Sequence, residues 1–349
     1  MAASNDAVPF VTVVMPVRNE DRFIARSVGS VLAQDYPADR LEILAVDGRS
    51  TDGTRPALES MARECERLSI VDNPAGIVAP GLNAALRRAR GDIVIRVDGH
   101  CEIASDYVRR CVAHLQSGNA EGVGGPLETV GETFPARAIA AAMSSRFGVG
   151  GSAFRTRRNV TKLTDTVAFP GYTREILRRA GPFDEELVRN QDDEYNYRLR
   201  ALGARILLAA DVRSRYWSRA TLGRLWKQYF QYGYWKVRVL QKHPRQMKAR
   251  QFVPPIFVAA VLVSAAASPF STGARIALVG AIGAYAASNL LAATWTARTA
   301  GPRAIPLLAG AFAALHLSYG FGFLTGLVRF AFRWGDRETR VGRPVEEHS

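Results

Sequence analysis

Between residues 252 and 328 the chain runs for 77 positions without one Asp, Glu or Lys, and Arg275, Arg298 and Arg303 are the only arginines there. Three apolar runs fill this stretch, 252–270, 276–296 and 305–328. Each is close to the roughly 20 residues that a helix needs to cross the hydrocarbon core of a bilayer. Lipid offers the backbone no hydrogen-bond partner, so such runs read as helices. Three of them in succession, separated only by short Gly, Pro and Arg punctuation, do not fit a water-soluble domain. The mean hydropathy of −0.05 therefore averages two regimes. The sequence predicts two to three membrane helices over residues 251–332 and a polar tail over 333–349.

The net charge of +14 is just as unevenly placed. Residues 198–250 hold fourteen Lys or Arg against one acid, Asp211. Trp217, Trp226, Tyr229, Phe230, Tyr232, Tyr234 and Trp235 are interleaved with them. A basic stripe with aromatics is one signature of nucleic-acid binding. Directly before a membrane run it is better explained by positive-inside topology and anionic headgroups. A basic, aromatic interfacial helix is therefore expected over 219–250, against membrane lipids, with no nucleic-acid partner. This places the N-terminal domain on the cytoplasmic side of the inner (plasma) membrane. Three full crossings would then strand Arg329, Arg333, Arg337, Arg340 and Arg343 outside, against the charge rule, so one run is open to a re-entrant reading. Residues 1–10 have neither a basic start nor an apolar stretch, so no targeting segment is expected before Val11. The three cysteines, Cys65, Cys101 and Cys111, form no CxxC pair and no disulfide framework.

Ahead of the basic stretch, short β-branched runs alternate with helical ones. Strands are expected at 11–17, 41–46, 68–71 and 92–97, and helices at 24–34, 54–67 and 81–90. This spacing argues for an α/β domain, a mostly parallel sheet with helices on both faces. Such sheets bind ligands beyond the carboxyl ends of their strands. There the sequence puts Arg18-Asn19-Glu20, Asp47 and Asp98-Gly99-His100. No GxGxxG follows the first strand and no GxxxxGK[ST] occurs, so any phosphate must be handled by something other than a glycine loop. Asp52 reads as a turn or N-cap residue. Gly148–Gly151 and Ala168–Gly171 read as loops lining a pocket, and His316, inside the last apolar run, as packed or functional.

Residues 13–20 (VVMPVRNE), 46–54 (VDGRSTDGT) and 97–100 (VDGH), with 190–194 (NQDDE) followed by Arg198 and Gly203, resemble inverting family 2 glycosyltransferases of GT-A fold. Together with residues 147–151 and 228–244, the chain is most similar to the succinoglycan-biosynthesis subgroup of that family. The resemblance implies a GT-A nucleotide-sugar-binding domain over residues 1–218. It assigns Pro16, Arg18, Glu20 and Asp47 to the nucleotide pocket and Asp98 to the DxD-type carboxylate that holds donor and metal. His100 stands where the family has a second Asp, so the implied divalent cation, Mg²⁺ or Mn²⁺, would be held by Asp98 and His100. The acceptor's base falls on Asp192, with Asp193 as the competitor, and Gln191 replaces the family's first Glu. Arg18 stands where an aromatic often stacks on the base, and Gly48 replaces a frequent second Asp.

Residues 231–235 (QYGYW) are spaced like the QxxRW motif of processive synthases, with Tyr234 in place of Arg. Gln231 and Trp235 carry over as acceptor or phosphate contacts, and Lys236 and Arg238 as contacts to a lipid diphosphate or to headgroups. The implied activity is transfer of a sugar, glucose from UDP-glucose, onto a polyprenyl-diphosphate-linked saccharide during extracellular polysaccharide assembly, alongside other assembly enzymes. A processive synthase and a non-catalytic nucleotide- or lipid-binding scaffold are the alternatives. The altered QxxRW and the few spans count against the first, and the second would not need Asp192.

Overall fold

A computed structural model describes residues 8–218 and 221–335. The strands are β1 (Val11–Val17), β2 (Leu41–Asp47), β3 (Leu68–Asp72), β4 (Ile93–Arg96), β5 (Cys101–Ile103), β6 (Gly122–Gly125), β7 (Leu127–Val130), β8 (Lys162–Thr164), β9 (Ala168–Thr173), β10 (Ile206–Leu208) and β11 (Ser214–Trp217). Eight of them form one sheet in the order β3-β2-β1-β4-β9-β6-β10-β8. The first four are parallel, and β9 runs against both β4 and β6. β10 lies parallel to β6, and β8 closes the edge antiparallel. The sheet is thus mostly parallel, as the strand–helix alternation predicts, and β5 pairs separately with β11.

Every residue of β2 is buried, and β1 is buried but for Pro16. Near-continuous apolar strands of this kind belong to sheets covered on both faces. On one face Val14, Leu44, Val71 and Val94 pack with helices Val78–Arg88, Arg174–Ala180 and Gln191–Ala201. On the other, Ile95 approaches helix Tyr107–Gln116, whose Cys111 also lies beside Gly171.

Helix Val78–Arg88 starts three residues before its expected bound because Pro80 sits in its first turn, where no N–H is needed. The expected loop at 168–171 is instead the interior strand β9. Its Pro170 and Gly171 read as breakers, yet residues 169 and 170 together face only one residue of β6, a bulge that takes the proline out of the ladder.

The described residues divide into two compact units, 8–128 with 157–216, and 129–156 with 217–335. The segment 129–156, which the sequence groups with the N-terminal domain, belongs to the second unit. That unit holds three helices long and apolar enough to cross a membrane, Ala249–Ala267, Thr272–Ala300 and Pro302–Arg329. Half of the third is buried against a tenth of the other two, so the third is the core of the unit. Val263, Ile276, Val279 and Leu291 on the other two are exposed and suit lipid.

The basic segment forms the helix Leu222–Lys242. One of its faces docks along helix Ile305–Arg329. A methyl at Gly322 would overlap the Phe230 carbonyl, one at Gly233 the Tyr319 carbonyl, and one at Gly326 would lie 2.6 Å from Tyr234 O. Small residues allow this backbone approach. Contacts advance together from Phe230/Gly322 to Tyr234/Gly326, so the two helices run parallel. This corrects the expected role of Arg238 at lipid: it is fully buried, donates to Gln241 Oε1 (2.6 Å) and lies over the Phe330 ring. Lys236 is buried as well. His316 proves to be a packed histidine, with Nε2 2.8 Å from Phe147 O and Nδ1 3.1 Å from Tyr285 Oη. Residues 1–7 and the expected tail from 336 on, with Arg337, Arg340 and Arg343, lie outside the described residues, as does Arg219 of the basic stretch.

Gly322→Ala is expected to push the helix pair apart at a cost of about 1–3 kcal/mol, read as a lower melting temperature in detergent. Gly280→Ala, whose methyl meets nothing within 4 Å, is expected to leave it unchanged or raise it.

Candidate active site

The carboxyl ends of β1 and β2 lie at one level, and β4 ends three residues short of it. Asp47, the last residue of β2, is opposite Val17 of β1, and Val14 is opposite Arg96 of β4. Three residues past Arg96, Gly99 lies against this rim, where a side-chain carbon would sit 2.8 Å from Val17 Cγ1 and 3.2 Å from Glu20 Cγ. Asp47, Glu20 and the 98–100 turn therefore share an edge, with β4 two strands away from β2 in the sheet.

Around Asp47 the rim is built by short turns. Asp47 Oδ1 accepts from Ser50 N (3.1 Å), and Arg55 Nη1 reaches both Asp47 Oδ2 (3.6 Å) and Asp72 Oδ1 (2.5 Å). Asn19 N donates to Ser50 Oγ, and Thr51 N donates back to Asn19 Oδ1 (2.8 Å). Asn19 and Arg49 both hold positive φ, at 55° and 61°. Arg18 crosses this turn and donates from Nη1 to Gly76 O (2.8 Å). Asp52 accepts from Thr54 N and Asp21 N, as a turn residue does.

At the β4 end, one guanidinium joins two carboxylates. Arg96 Nε donates to Asp98 Oδ1 (2.8 Å) and Arg96 Nη1 donates to Asp192 Oδ1. The Arg96 side chain keeps 14% of its surface exposed and Asp98 22%, but Asp192 keeps 46%, so only Asp192 opens widely to an incoming molecule. Although nearly half of its side chain stays open, desolvation by the surrounding protein pushes the Asp192 carboxyl above the ordinary carboxylate range, and Arg96 opposes this without cancelling it. Burial works against the Arg96 charge, but Asp192 and Asp98 beside it hold its pKa above the usual value.

Asp192 and Asp193 are delivered by the first turn of helix Gln191–Ala201, whose positive end favours them. Asn190, at φ 64°, makes the sharp entry. Below it, Arg198 donates to Glu194 Oε1 (2.6 Å), Ala180 O (2.6 Å) and Pro182 O (2.8 Å), tying the helix to the preceding loop. Asn83 grips the same loop, accepting from Phe183 N (2.8 Å) and donating to Phe183 O (2.9 Å). Asp192 reaches Arg96, while Asp193, next in the turn, is half-buried.

His100 Nδ1 lies 2.8 Å from Glu20 Oε1, with the Tyr216 ring 5.0 Å away. An ionised Glu20 only accepts, so in the neutral ring the proton is on Nδ1 and Nε2 keeps its lone pair. A carboxylate behind an imidazole is the usual support of a metal-binding histidine. Among the described residues no three His, Cys, Asp or Glu side chains are placed to hold an ion by themselves. Asp98 and His100, with one residue between them in the turn after β4, supply a carboxylate and an imidazole of the kinds that ligate divalent cations.

Gln231 and Trp235 lie in the second unit, one turn apart on helix Leu222–Lys242, with the Trp235 ring 5.8 Å from Phe330. Gly148 belongs there too, in the short turn Arg146–Val149 capped by Ser145. Arg96 is the site residue that sequence reasoning passed over. Its signal was a lone cation inside the apolar strand 93–97, two residues before Asp98.

Residues 12–180 match the model of Glycosyl transferase family 2. The chain is similar to the succinoglycan biosynthesis protein ExoA of Rhizobium meliloti, 31% identical over 328 residues, which cover 92% of this chain and 96% of that protein. It is 26% identical, over 67% of its length and 74% of the other's, to a Methanococcus voltae enzyme named dolichyl N-acetyl-alpha-D-glucosaminyl phosphate 3-beta-D-2,3-diacetamido-2,3-dideoxy-beta-D-glucuronosyltransferase. Among solved structures, the mannosyltransferase PcManGT of Pyrobaculum calidifontis, in complex with GDP-Man and Mn²⁺, superposes with TM-score 0.54 at 25% identity, covering 95% of this chain and 89% of that one. The S. aureus TarS 1-349 structure shares the fold at TM-score 0.51 and 18% identity, covering 92% and 91%.

Arg198→Met leaves Glu194 buried without its cation. It is expected to cost about 3–5 kcal/mol, seen as a lower unfolding midpoint, with part recovered in Arg198→Met/Glu194→Gln.

Proposed function

The chain belongs to glycosyl transferase family 2, and from that premise we propose that it moves glucose from UDP-glucose onto the saccharide of a polyprenyl-diphosphate-linked acceptor. It is an inverting glycosyltransferase of polysaccharide or lipid-linked saccharide biosynthesis, with a C-terminal membrane-like region. The proposal sets it on the cytoplasmic side of the inner membrane. The observation that carries the reading is the grouping of Asp98, Arg96 and Asp192 at the same sheet edge as Asp47 and Glu20.

In this reading Asp47 receives the ribose or uracil, with Pro16 and Arg18 as the pocket wall. The donor diphosphate lies over Asp98 and His100, where Glu20 fixes the ring. Asp98 and His100 would hold a divalent cation there, which when bound would supply Lewis-acid neutralisation of the leaving diphosphate. Asp192, with Oδ1 taken by Arg96, offers Oδ2 to the acceptor hydroxyl and takes its proton as the oxygen attacks the anomeric carbon. Attack on the face opposite the diphosphate inverts that centre. The Mn²⁺ and GDP-Man of the Pyrobaculum enzyme's complex support the cation and a nucleotide-sugar donor. The dolichyl-phosphate substrate in the Methanococcus enzyme's name supports a lipid-linked acceptor. Gln231 and Trp235 are proposed as acceptor contacts.

The test is a donor panel on membranes holding the protein, with divalent metal and extracted lipid-linked saccharides. One glucose per acceptor is expected, lost on chelation and restored by Mn²⁺ or Mg²⁺. A long polymer would make it a synthase, and transfer from another nucleotide sugar alone would replace the donor. Asp192→Asn is expected to lower kcat by about 10²–10⁴ with donor affinity kept, and an undiminished rate would remove Asp192 as base. Because the base must be ionised and its pKa is raised above 3.8, kcat/KM should fall as pH drops through a value above that.

A further inference from the structure

Two carboxylates in one site repel and pull their carriers apart unless something holds them. Here that something is a single planar group. Arg96 uses one edge, Nε, for Asp98 Oδ1 and another, Nη1, for Asp192 Oδ1. The guanidinium is rigid, so the separation and relative tilt of the two carboxylates are set by its fork, a service no lysine provides. Arg96 also roofs an apolar cavity lined by Val14, Leu82, Val94, Tyr172 and Phe183, with Asp192 at the same margin. That side of the guanidinium is mostly apolar, and the Tyr172 hydroxyl is taken by Asn196 Oδ1 (2.6 Å). Its backbone sits on β4 in register with Val14 of β1, among the most buried strands of the sheet, so the fork is anchored at its base.

We infer that Arg96 is a positioning residue for transfer. It fastens the donor-side carboxylate Asp98 to the base Asp192, so that Asp192 presents its free oxygen at a fixed distance from the bound donor. The inference rests on the reading of Asp192 as base, and goes beyond it by naming what aims that base. Arg96 acts through Asp192 without touching substrate, which makes its effect conditional on the Asp192 carboxylate.

The experiment is a double-mutant cycle on the full chain in membranes, with kcat and donor KM measured for wild type, Arg96→Met, Arg96→Lys, Asp192→Asn and both Arg96 variants combined with Asp192→Asn. UDP binding monitors folding. Arg96→Met is expected to lower kcat about 30-fold or more with donor KM within about threefold, and Arg96→Lys to recover part of the loss. In the Asp192→Asn background either change should cost less than about threefold, the non-additivity of residues that act as a unit. Should Arg96→Met fail to bind UDP, the Arg96→Lys arm carries the same comparison, expected at fivefold or more in wild type and under twofold with Asp192→Asn. Equal losses in both backgrounds, a rise in donor KM at constant kcat, or no loss at all would overturn the inference while leaving wild-type transfer intact. A wild type that transfers no sugar would overturn both it and the function it rests on.

Discussion

Charge has almost nowhere to go in the middle of this sheet. β1, β2 and β4 are covered on both faces, so polar side chains enter at the strand ends or must be paired. Asp47, the 18–20 turn and the 98–100 turn all take the first route. Arg96, the last residue of β4, needs the second as well, and two carboxylates match its charge. A guanidinium is less strongly hydrated than an ammonium and is the side chain best suited to such a position. The same confinement that stabilises the sheet thus gathers the charged groups of the site onto one rim.

That gathering has a cost. The Arg96 guanidinium favours the ionised Asp192 carboxyl, although desolvation favours its protonated form. With its pKa raised in the fold, the stability this carboxyl lends is full at acid pH and is lost as pH rises through the shifted value. Backbone strain is concentrated nearby: Asn19, Arg49 and Asn190, three of the four described non-glycine residues with positive φ, all lie in turns that shape the rim. Asn is among the residues that bear this conformation best, and strained turns of this kind persist only where the surroundings over-determine them. The Asn19–Ser50–Thr51 hydrogen bonds and the Arg198 and Asn83 clamps are those surroundings.

Much of this was legible in the residue order. The alternation of apolar runs with helical ones predicts the parallel half of the sheet, and the acidic strand ends predict the rim. β9 was hidden because Pro170 and Gly171 look like loop, and only the bulge opposite β6 makes room for them. Arg96 was hidden for a different reason. A lone arginine in a strand carries no spacing signal, and its meaning comes from Asp192, 96 residues away in sequence. The support of His100 by Glu20 spans 80 positions and is equally invisible in one dimension. Composition likewise marked residues 219–250 as basic and aromatic, but the glycines that dock this helix lie partly on another, at Gly322 and Gly326.

That docking also bears on how the chain can meet a bilayer. Gln241 Nε2 donates to Phe330 O (2.7 Å), and Phe252 meets Phe323 ring to ring at 5.9 Å. The residues just before the first apolar helix and those just after the third are therefore neighbours. Three full crossings would put these two points on opposite sides of the membrane, a hydrocarbon thickness of about 30 Å apart. An even number of crossings keeps them together. It also keeps Arg329 and Arg333 on the same side as Lys242, Arg245, Lys248 and Arg250, which is what the charge rule asks. The conflict between three apolar runs and a basic C-terminal end is thus relieved by the packing of the basic helix on the third run.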